Sequence, residues 1–536
     1  MKINKTTLFP WLGVILAGFS LGYSIQRNVI LVGLLAVCLL FYCENKLVQY
    51  SLRIYASAMY LSLQALFISS IWWFTKISAS GWSQVIWKFS PQQWLAIILF
   101  IASVFVACLA LIPRILFKLY YKKIPRGFSL ILIWCCAFLA SEILLSTGMS
   151  IISRGNGVPI MPSWNFSSLA LLVPGGLIGT MLPSTFGFWG SSFVVAAVCA
   201  TITRTLSETA WRTKLFVQNN RRLYAQLSAT LIVIVLVCIM ANGVSAKVGT
   251  IPPEKVNVIA ISANASSNQY LGSVIREVKN TEKTIIVLPE YSGVLDPFPA
   301  GILSNKNKDY SDDLKKHATR ATYIVGTEDQ FVDGKRHVIS YALDNALEIK
   351  RSRQKNFLVP GGEYVTPWIQ KFISSFDQKS VDQFAEQRGR YVLKNAKTIS
   401  SQNKDIRDIG LGACSTILTP YAYRQEVQQG SRVLTSSVSY EQFKNTPVYE
   451  RYAQRFAIFN ARALKTPLVL SAYNGSALII DAHGSIIEKT NDGIIRSSVQ
   501  KRTEKSTYAL LGDFVILGLL FTGSGLYVLI HRRRRT

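Results

Sequence analysis

The sequence predicts a multi-span α-helical membrane region followed by a layered α/β domain, and three observations predict it. Half of the 536 residues are hydrophobic and only 16% are charged, a balance typical of membrane proteins. Long apolar runs crowd the first 245 residues and recur once near 508–530. Between them, from Val256, short β-rich runs alternate with amphipathic helical stretches, the pattern of one sheet-and-helix domain.

Runs long enough to span lie near 7–25, 54–75, 94–117, 128–147, 187–203, 227–244 and 508–530, with a shorter one near 29–43. Spanning takes about 20 apolar residues, so 29–43 and 187–203 are the weakest of the eight. The first run is followed by further spans and lacks a small-residue cleavage site, so it reads as a retained helix and not as a signal peptide.

Loop charge orients these spans. With Lys2 and Lys5 inside, the inner loops hold Lys46 and Arg53, then Arg114, Lys118, Lys122, Lys123 and Arg126, then Arg204, Arg212, Lys214, Arg221 and Arg222. The outer loops keep only Arg27, Lys76, Lys88 and Arg154. By the positive-inside rule the expected organisation is a membrane domain over 1–245 with about seven spans, an extracytoplasmic domain over 252–503, a last span over 508–530, and a basic cytoplasmic tail over 531–536. Many of the basic residues behind the net charge of +28 fall in these loops, and they form no single stripe with interleaved aromatics, which argues against nucleic-acid binding.

Glu142, inside ILIWCCAFLASEILL, has two readings: a functional carboxylate facing a cavity, or a group near a helix end reaching interfacial water. The Pro-, Gly- and Trp-rich stretch 148–186 reads either as a re-entrant element lining a lipid entrance or as a covered loop.

In the polar half, VNVIAIS, TIIVLPE, TYIVGTE, HVISYALD and ALEIKRS read as strands, with helices near 268–279 and in SDDLKKHATRA. The apolar run around Cys414 reads as a further strand. A helix near 420–428, the strand RVLTSSVS and the helix VYERYAQRFAIFNARAL follow it. PLVLSAYNG, SALIIDAHG and GIIRSSVQ close the domain as strands joined by Asn-Gly and His-Gly turns. The polar region 371–404 is either a lid or an insertion.

Seven of the eight cysteines lie in or beside apolar runs, and Cys414 alone stands in the polar domain. No disulfide framework and no Cys-x-x-Cys metal spacing is present, and acyl transfer through a thioester calls for neither metal nor cofactor. Glu290 closes TIIVLPE and Lys355 follows ALEIKRSRQ. A carboxylate, an ammonium and a thiol at strand ends are the parts of an acyl-transfer site: Glu290 takes the thiol proton, Cys414 attacks as thiolate, and Lys355 faces the oxyanion. Each alone has an ordinary explanation, since a lone cysteine is often a small buried apolar residue and a glutamate or lysine after a strand is usually solvated. His317, His337, His483 and His531 sit in no catalytic motif.

The LPE at Glu290, the K-x-x-L-V-P-x-G-E-Y-V stretch from Lys355 to Val365, and the strand ending at Cys414 resemble the nitrilase (carbon–nitrogen hydrolase) superfamily. With the membrane spans, Trp134 and Glu142 in W-x7-E, FGFWGSSFVV near 186–195 and ARALKTPLVLSAYNGSALIIDAHGSI, the chain resembles the bacterial apolipoprotein N-acyltransferase family. That resemblance implies an αββα sandwich on a membrane arm, with Glu290 as general base, Lys355 as oxyanion stabiliser, Cys414 as nucleophile and Glu363 as a supporting carboxylate. It implies a phospholipid acyl donor, a Cys414 thioester, and a diacylglyceryl-cysteine apolipoprotein as acceptor, in a monomer of the bacterial inner membrane. The chain departs from the family where Ser415-Thr416 follow the cysteine in place of Tyr-Glu, and where Ser436–Glu441 replaces S-N-D-x-W-F. Two alternatives stand beside it: a related acyltransferase or amidohydrolase with another acceptor, and a catalytically silent membrane scaffold.

Overall fold

A computed structural model describes chiefly residues 5–76, 91–124, 128–155, 164–209, 252–263, 283–292, 322–359, 363–375, 399–443 and 446–533, a few single positions within these excepted. Six helices precede the sheet: α1 (Lys5–Arg27), α2 (Ile30–Leu47), α3 (Leu52–Ile71), α4 (Pro91–Tyr120), α5 (Phe128–Ile152) and α6 (Gly176–Thr209). Later come α7 (Pro367–Ser374), α8 (Pro420–Gln428), α9 (Val448–Leu464) and α10 (Thr507–Arg533). Among the described residues, α1–α6 and α10 are long and apolar enough to cross a membrane, seven in all. The run near 29–43 becomes a helix of 18 residues, and the one near 187–203 belongs to a helix of 34. Both are longer than their apolar runs because α2 and α6 pack against neighbouring helices and need no lipid-facing apolar surface all round. The expected span at 227–244 lies outside the described residues.

A buried ion pair ties four of these helices together. Glu44 of α2 accepts from Arg114 Nη1 of α4 at 2.9 Å, from Trp134 Nε1 of α5 at 2.7 Å and from the Tyr55 hydroxyl of α3 at 2.5 Å. The guanidinium lies 5.3 Å from the Trp134 ring centroid, a cation–π contact. Further along, Gly187 breaks α6 with φ of +66°, and a Cβ there would come within 2.3 Å of the Tyr508 ring in α10. Only glycine fits that turn and that approach.

The polar half folds as an eleven-stranded mixed sheet: β1 (Lys255–Ala263), β2 (Thr284–Glu290), β3 (Thr322–Val332), β4 (Lys335–Leu343), β5 (Ile349–Gln354), β6 (Ile409–Gly410), β7 (Val433–Ser439), β8 (Leu468–Tyr473), β9 (Ala477–Ile480), β10 (Ile486–Thr490) and β11 (Gly493–Gln500). β1 and β8 meet only at Ser262–Ala472 and Ala263–Tyr473; elsewhere β1 pairs with β11 and β8 with β9. The sheet therefore splays into two leaves, β11-β1-β2-β3-β4-β5 and β6-β7-β8-β9-β10, joined at one corner. Val256, Val258, Ala260, Ile285, Val287, Tyr323 and Val325 of the first leaf pack against Val433, Val469, Ala477 and Ile479 of the second. Their period of two turns one face of each leaf into a shared core. α9 covers the second leaf with Tyr449, Tyr452, Phe456 and Phe459 buried. The sequence-predicted class, a helical membrane region with a helix-covered two-sheet sandwich, is the one observed; the helices expected at 268–279 and 311–321, and most of 371–404, lie outside the described residues.

One expected strand is shorter than expected and one strand was not expected. The Cys414 strand shrinks to Ile409-Gly410, because Leu411 N donates to the Glu426 carboxylate at 2.8 Å and leaves the ladder. Ile486–Thr490 adds β10, whose alternation of exposed and half-buried residues marks an edge and carries little hydrophobic signal.

Helices and sheet meet in a dense polar and aromatic seam. The Tyr452 hydroxyl donates to Ser70 O at 3.1 Å and Phe166 O at 3.2 Å, and Trp368 Nε1 donates to Ile152 O at 2.6 Å. Tyr364 donates to Ser153 O, and Arg455 donates to Ile25 O and Leu171 O. Arg424 Nε reaches Tyr508 O and Ala509 O, both at 3.1 Å, at the start of α10.

Candidate active site

Glu290, Lys355 and Cys414 come together at the carboxyl ends of the parallel strands, beside the seam with the membrane helices. Glu290 is the last residue of β2, whose seven residues are all buried. Pro289 has no N–H to give the ladder, and the β2–β3 register shifts between Val287 and Glu290. Tyr291 then turns the chain with φ of +57°, its N–H bonded to Thr327 O at 2.9 Å. The carboxylate is thus fixed at the lip of the sheet.

Lys355 is one residue past β5, and its N–H extends the ladder to Val338 O at 2.8 Å. The residue is 3% exposed, and its ammonium lies 3.3 Å from Glu290 Oε1 and 2.6 Å from Glu363 Oε1. Glu363 uses its other oxygen to accept from Val359 N at 2.7 Å, which closes the loop after Lys355 on itself. The supporting carboxylate inferred from the resemblance is therefore in contact with the lysine.

Cys414 follows the isolated bridge between Ala413 and Ser437 and adopts φ of +35°, an unusual conformation for a side chain with a Cβ. A 3₁₀ turn, Cys414–Leu418, starts there. Asn460 Nδ2 of α9 braces that turn through Ile417 O at 2.9 Å, and the Ser415 hydroxyl ties it to Phe357 O beside Lys355. Backbone strain of this kind costs about 1–3 kcal/mol and persists where the surroundings hold it. The sulfur lies 4.0 Å from Ser439 O and 3.9 Å from the Tyr449 hydroxyl, and the thiol and the Glu290 carboxyl act on each other electrostatically.

The electrostatics follow from burial. Loss of water pushes the Glu290 carboxyl up to about 7; Lys355 opposes this and Glu363 adds to it. Burial, then the charge of Glu290, push the Cys414 thiol up to about 12, with Lys355 pulling the other way. Burial works against the Lys355 ammonium, but the two carboxylates outweigh it and hold its pKa above the ordinary lysine value. The resting pair is a protonated thiol beside a carboxyl that changes charge near neutrality. The arrangement can pass the thiol proton to Glu290 while a fixed cation waits for negative charge.

The other sequence candidates are placed elsewhere. Trp134 donates to Glu44 and Glu142 accepts from Leu169 N at 2.6 Å, so the two do not share a partner. Glu142 is buried, and it holds the start of the 3₁₀ turn Leu169–Leu172 inside the helical bundle. That resolves the region around it: residues 164–172 form a covered element packed on α2 and α6, and Glu142 is not at a water interface. Glu426 gives its carboxylate to Arg351 at 3.0 Å, to Arg353 and to Leu411 N, while Glu441 accepts from Asn474. His337, buried, pairs with Gln354 at 3.2 Å.

Sequence reasoning missed the aromatic wall. Trp73 packs on Phe166, Phe443, Tyr449 and Tyr452 with centroids 5.6, 6.0, 5.7 and 6.2 Å away, and Trp164 lies 5.3 Å from Phe357. The usable signal was the spacing of Tyr449, Tyr452 and Phe456, which puts three aromatics on one face of a helix.

No protein-family model matches the chain, and no curated protein matches it. Among solved structures, a carbon–nitrogen hydrolase from Helicobacter pylori G27 is 12% identical, covering 46% of this chain and 89% of its own at a TM-score of 0.29. A branch 10 nitrilase-superfamily member from Saccharomyces cerevisiae is 15% identical over 46% and 90% at 0.30. A Nesterenkonia sp. AN1 amidase of the same superfamily is 10% identical over 50% and 94%, also at 0.30. Likenesses this distant assign neither family nor activity.

Proposed function

We propose that the protein is a membrane acyltransferase of the nitrilase type, which moves a fatty acyl chain from a phospholipid to the N-terminal amino group of a diacylglyceryl-cysteine apolipoprotein. One observation carries the reading: Glu290, Lys355 and Cys414, more than 120 residues apart at the extremes, converge in a buried site roofed by aromatics from the ends of membrane helices. The motifs around Lys355 and Glu290, similar to those of the nitrilase superfamily, support it.

In the first half-reaction Cys414 Sγ gives its proton to Glu290 and attacks the ester carbonyl carbon. A C–S bond forms, and the negative charge on the carbonyl oxygen faces Lys355. The C–O bond to the glycerol then breaks, the leaving alkoxide takes the proton from Glu290, and lysophospholipid departs. In the second, the acceptor's neutral amine attacks the thioester carbon, its proton passes to Glu290, and the C–S bond breaks to release the amide. Both substrates are confined to one leaflet, and a covalent intermediate lets them bind in turn at one site. No metal or redox cofactor enters this chemistry. The distribution of Lys and Arg supports an extracytoplasmic place for the sandwich, and the resemblance implies a bacterial inner membrane.

A second reading keeps the first half-reaction and changes the acceptor to an amine-bearing lipid or water. It is favoured by Ser415-Thr416 standing where the family has Tyr-Glu, while Glu426 and Glu441 give their carboxylates to other partners. Incubation with labelled phospholipid and mass spectrometry of the protein tests both. A hydroxylamine-labile acyl group on Cys414, absent in Glu290→Ala and Lys355→Ala, establishes thioester formation. Transfer to a diacylglyceryl peptide then selects the first reading, and turnover without it selects the second. No adduct on folded protein across several phospholipids would sink both.

A further inference from the structure

Tyr449 stands in the first turn of α9 with its hydroxyl 3.9 Å from Cys414 Sγ. The residue is 1% exposed, and the sulfur is that hydroxyl's one hydrogen-bond partner among the described residues. The ring is held in place: Phe443 stacks on it with centroids 3.9 Å apart and planes 17° apart, and Tyr440 meets it edge-on at 5.8 Å.

A buried hydroxyl is normally satisfied by a good acceptor, and a neutral thiol is a poor one. The same hydroxyl becomes well satisfied once the sulfur carries charge, because a bond to an ionised acceptor is about twice as strong as a neutral one. Tyr449 therefore favours the thiolate over the thiol, while Ser439 O, 4.0 Å from the sulfur, accepts from the thiol and favours the opposite state. Lys355 cannot meet this need alone, since its ammonium is already divided between Glu363 and Glu290.

Resting on the thiol chemistry proposed above, we infer that Tyr449 is a further catalytic residue, whose O–H donates to Cys414 Sγ whenever the sulfur is ionised. That occurs before attack on the donor ester and again when the C–S bond of the thioester breaks. The phenol keeps its proton throughout, and the thiol proton travels to Glu290 and back. Burial holds the phenol well above its ordinary pKa, which suits a group that donates without ionising.

Tyr449→Phe keeps the ring and its packing and removes only the oxygen. The full-length protein in detergent is treated with iodoacetamide across a pH series, and alkylation is followed on the Cys414 peptide by mass spectrometry. The expected result is alkylation about tenfold slower near neutral pH, the loss of roughly one hydrogen bond to a charged group, with the pH midpoint displaced upward and an unchanged thermal midpoint. Incorporation of 3-fluorotyrosine at 449, a stronger donor of nearly the same shape, is expected to move the pH midpoint downward. An unchanged alkylation profile in Tyr449→Phe overturns the inference, and so does a slowing that the 3-fluorotyrosine protein shares, which would report altered packing. Alkylation needs no acyl donor. If labelled phospholipid never acylates Cys414 in the unaltered protein, the proposed function falls while the alkylation series still decides the role of Tyr449.

Discussion

Glu363 lies nearer to Lys355 than any other carboxylate described, with Oε1 2.6 Å from Nζ, and its second oxygen anchors Val359 N at 2.7 Å. One side chain thus aims the lysine and shapes the loop that carries it. Glu363→Gln keeps a hydrogen-bonding shape but removes the charge. Loss of a whole oxyanion donor costs about two to three orders of magnitude, so a lysine merely left off-aim is expected to slow thioester formation about ten- to a hundredfold. Glu363 also raises the Glu290 pKa, so the acid limb of the pH–rate profile should move to lower pH in this variant. Single-turnover acylation measured across pH checks both.

The pH dependence of the unaltered protein follows from Glu290. As the proposed base Glu290 works as carboxylate, and burial moves its titration up to about 7. The rate of thioester formation should therefore rise with pH through about 7 and then level, where an ordinary exposed glutamate would have levelled far below neutrality. Glu290→Gln should abolish that limb and lower the rate by about two to four orders of magnitude. A limb that persists in Glu290→Gln would assign it to another group.

Glu142 predicts a contrast between two substitutions. Its Oε1 is the acceptor for Leu169 N, a buried donor. Glu142→Gln retains an acceptor and should leave thermal stability and acylation close to normal. Glu142→Leu strands the N–H, a loss of about 1–3 kcal/mol, and should lower the thermal midpoint in detergent. Equal damage from both would mean that the charge itself is required.

Glu44 and Arg114 are expected to be strongly non-additive. Removing one partner of a buried ion pair costs about 3–5 kcal/mol because the other is left uncompensated. Glu44→Gln and Arg114→Met should each destabilise the detergent-solubilised protein, and the double variant should lose much less than their sum. Additive losses in thermal unfolding would show that the two side chains act independently.

The meeting of Glu290, Lys355 and Cys414 was legible in the sequence because each follows a strand-like run, and chain ends of strands gather at one edge of a sheet. The length of the apolar runs likewise exposed the spans, since lipid demands one kind of residue for about 20 positions. What was not legible depends on partners distant along the chain. Glu142 is explained only by Leu169, and β6 is cut to two residues only because Glu426 captures Leu411 N. Tyr449 reads as an ordinary core aromatic until folding brings the Cys414 turn under the start of α9. The paired substitution Ser415-Thr416 gave no hint that the serine would bond back to Phe357 and lock the turn to the lysine loop.

The side chains that cross the seam do more than glue two regions together. Tyr452, Trp368, Tyr364 and Arg455 all donate to carbonyls at the C-terminal ends of α1, α3 and α5, at Ile25, Ser70, Ile152 and Ser153. Those are the carbonyls a helix cannot satisfy itself, at the negative end of its dipole. The sandwich finishes the helices, and the helices roof the sandwich through Trp73. The sandwich cut free at residue 252 would thus lose the aromatic wall that the helices supply beside Cys414. Deleting the spans alone would leave the sandwich without that wall and the helix ends without their donors.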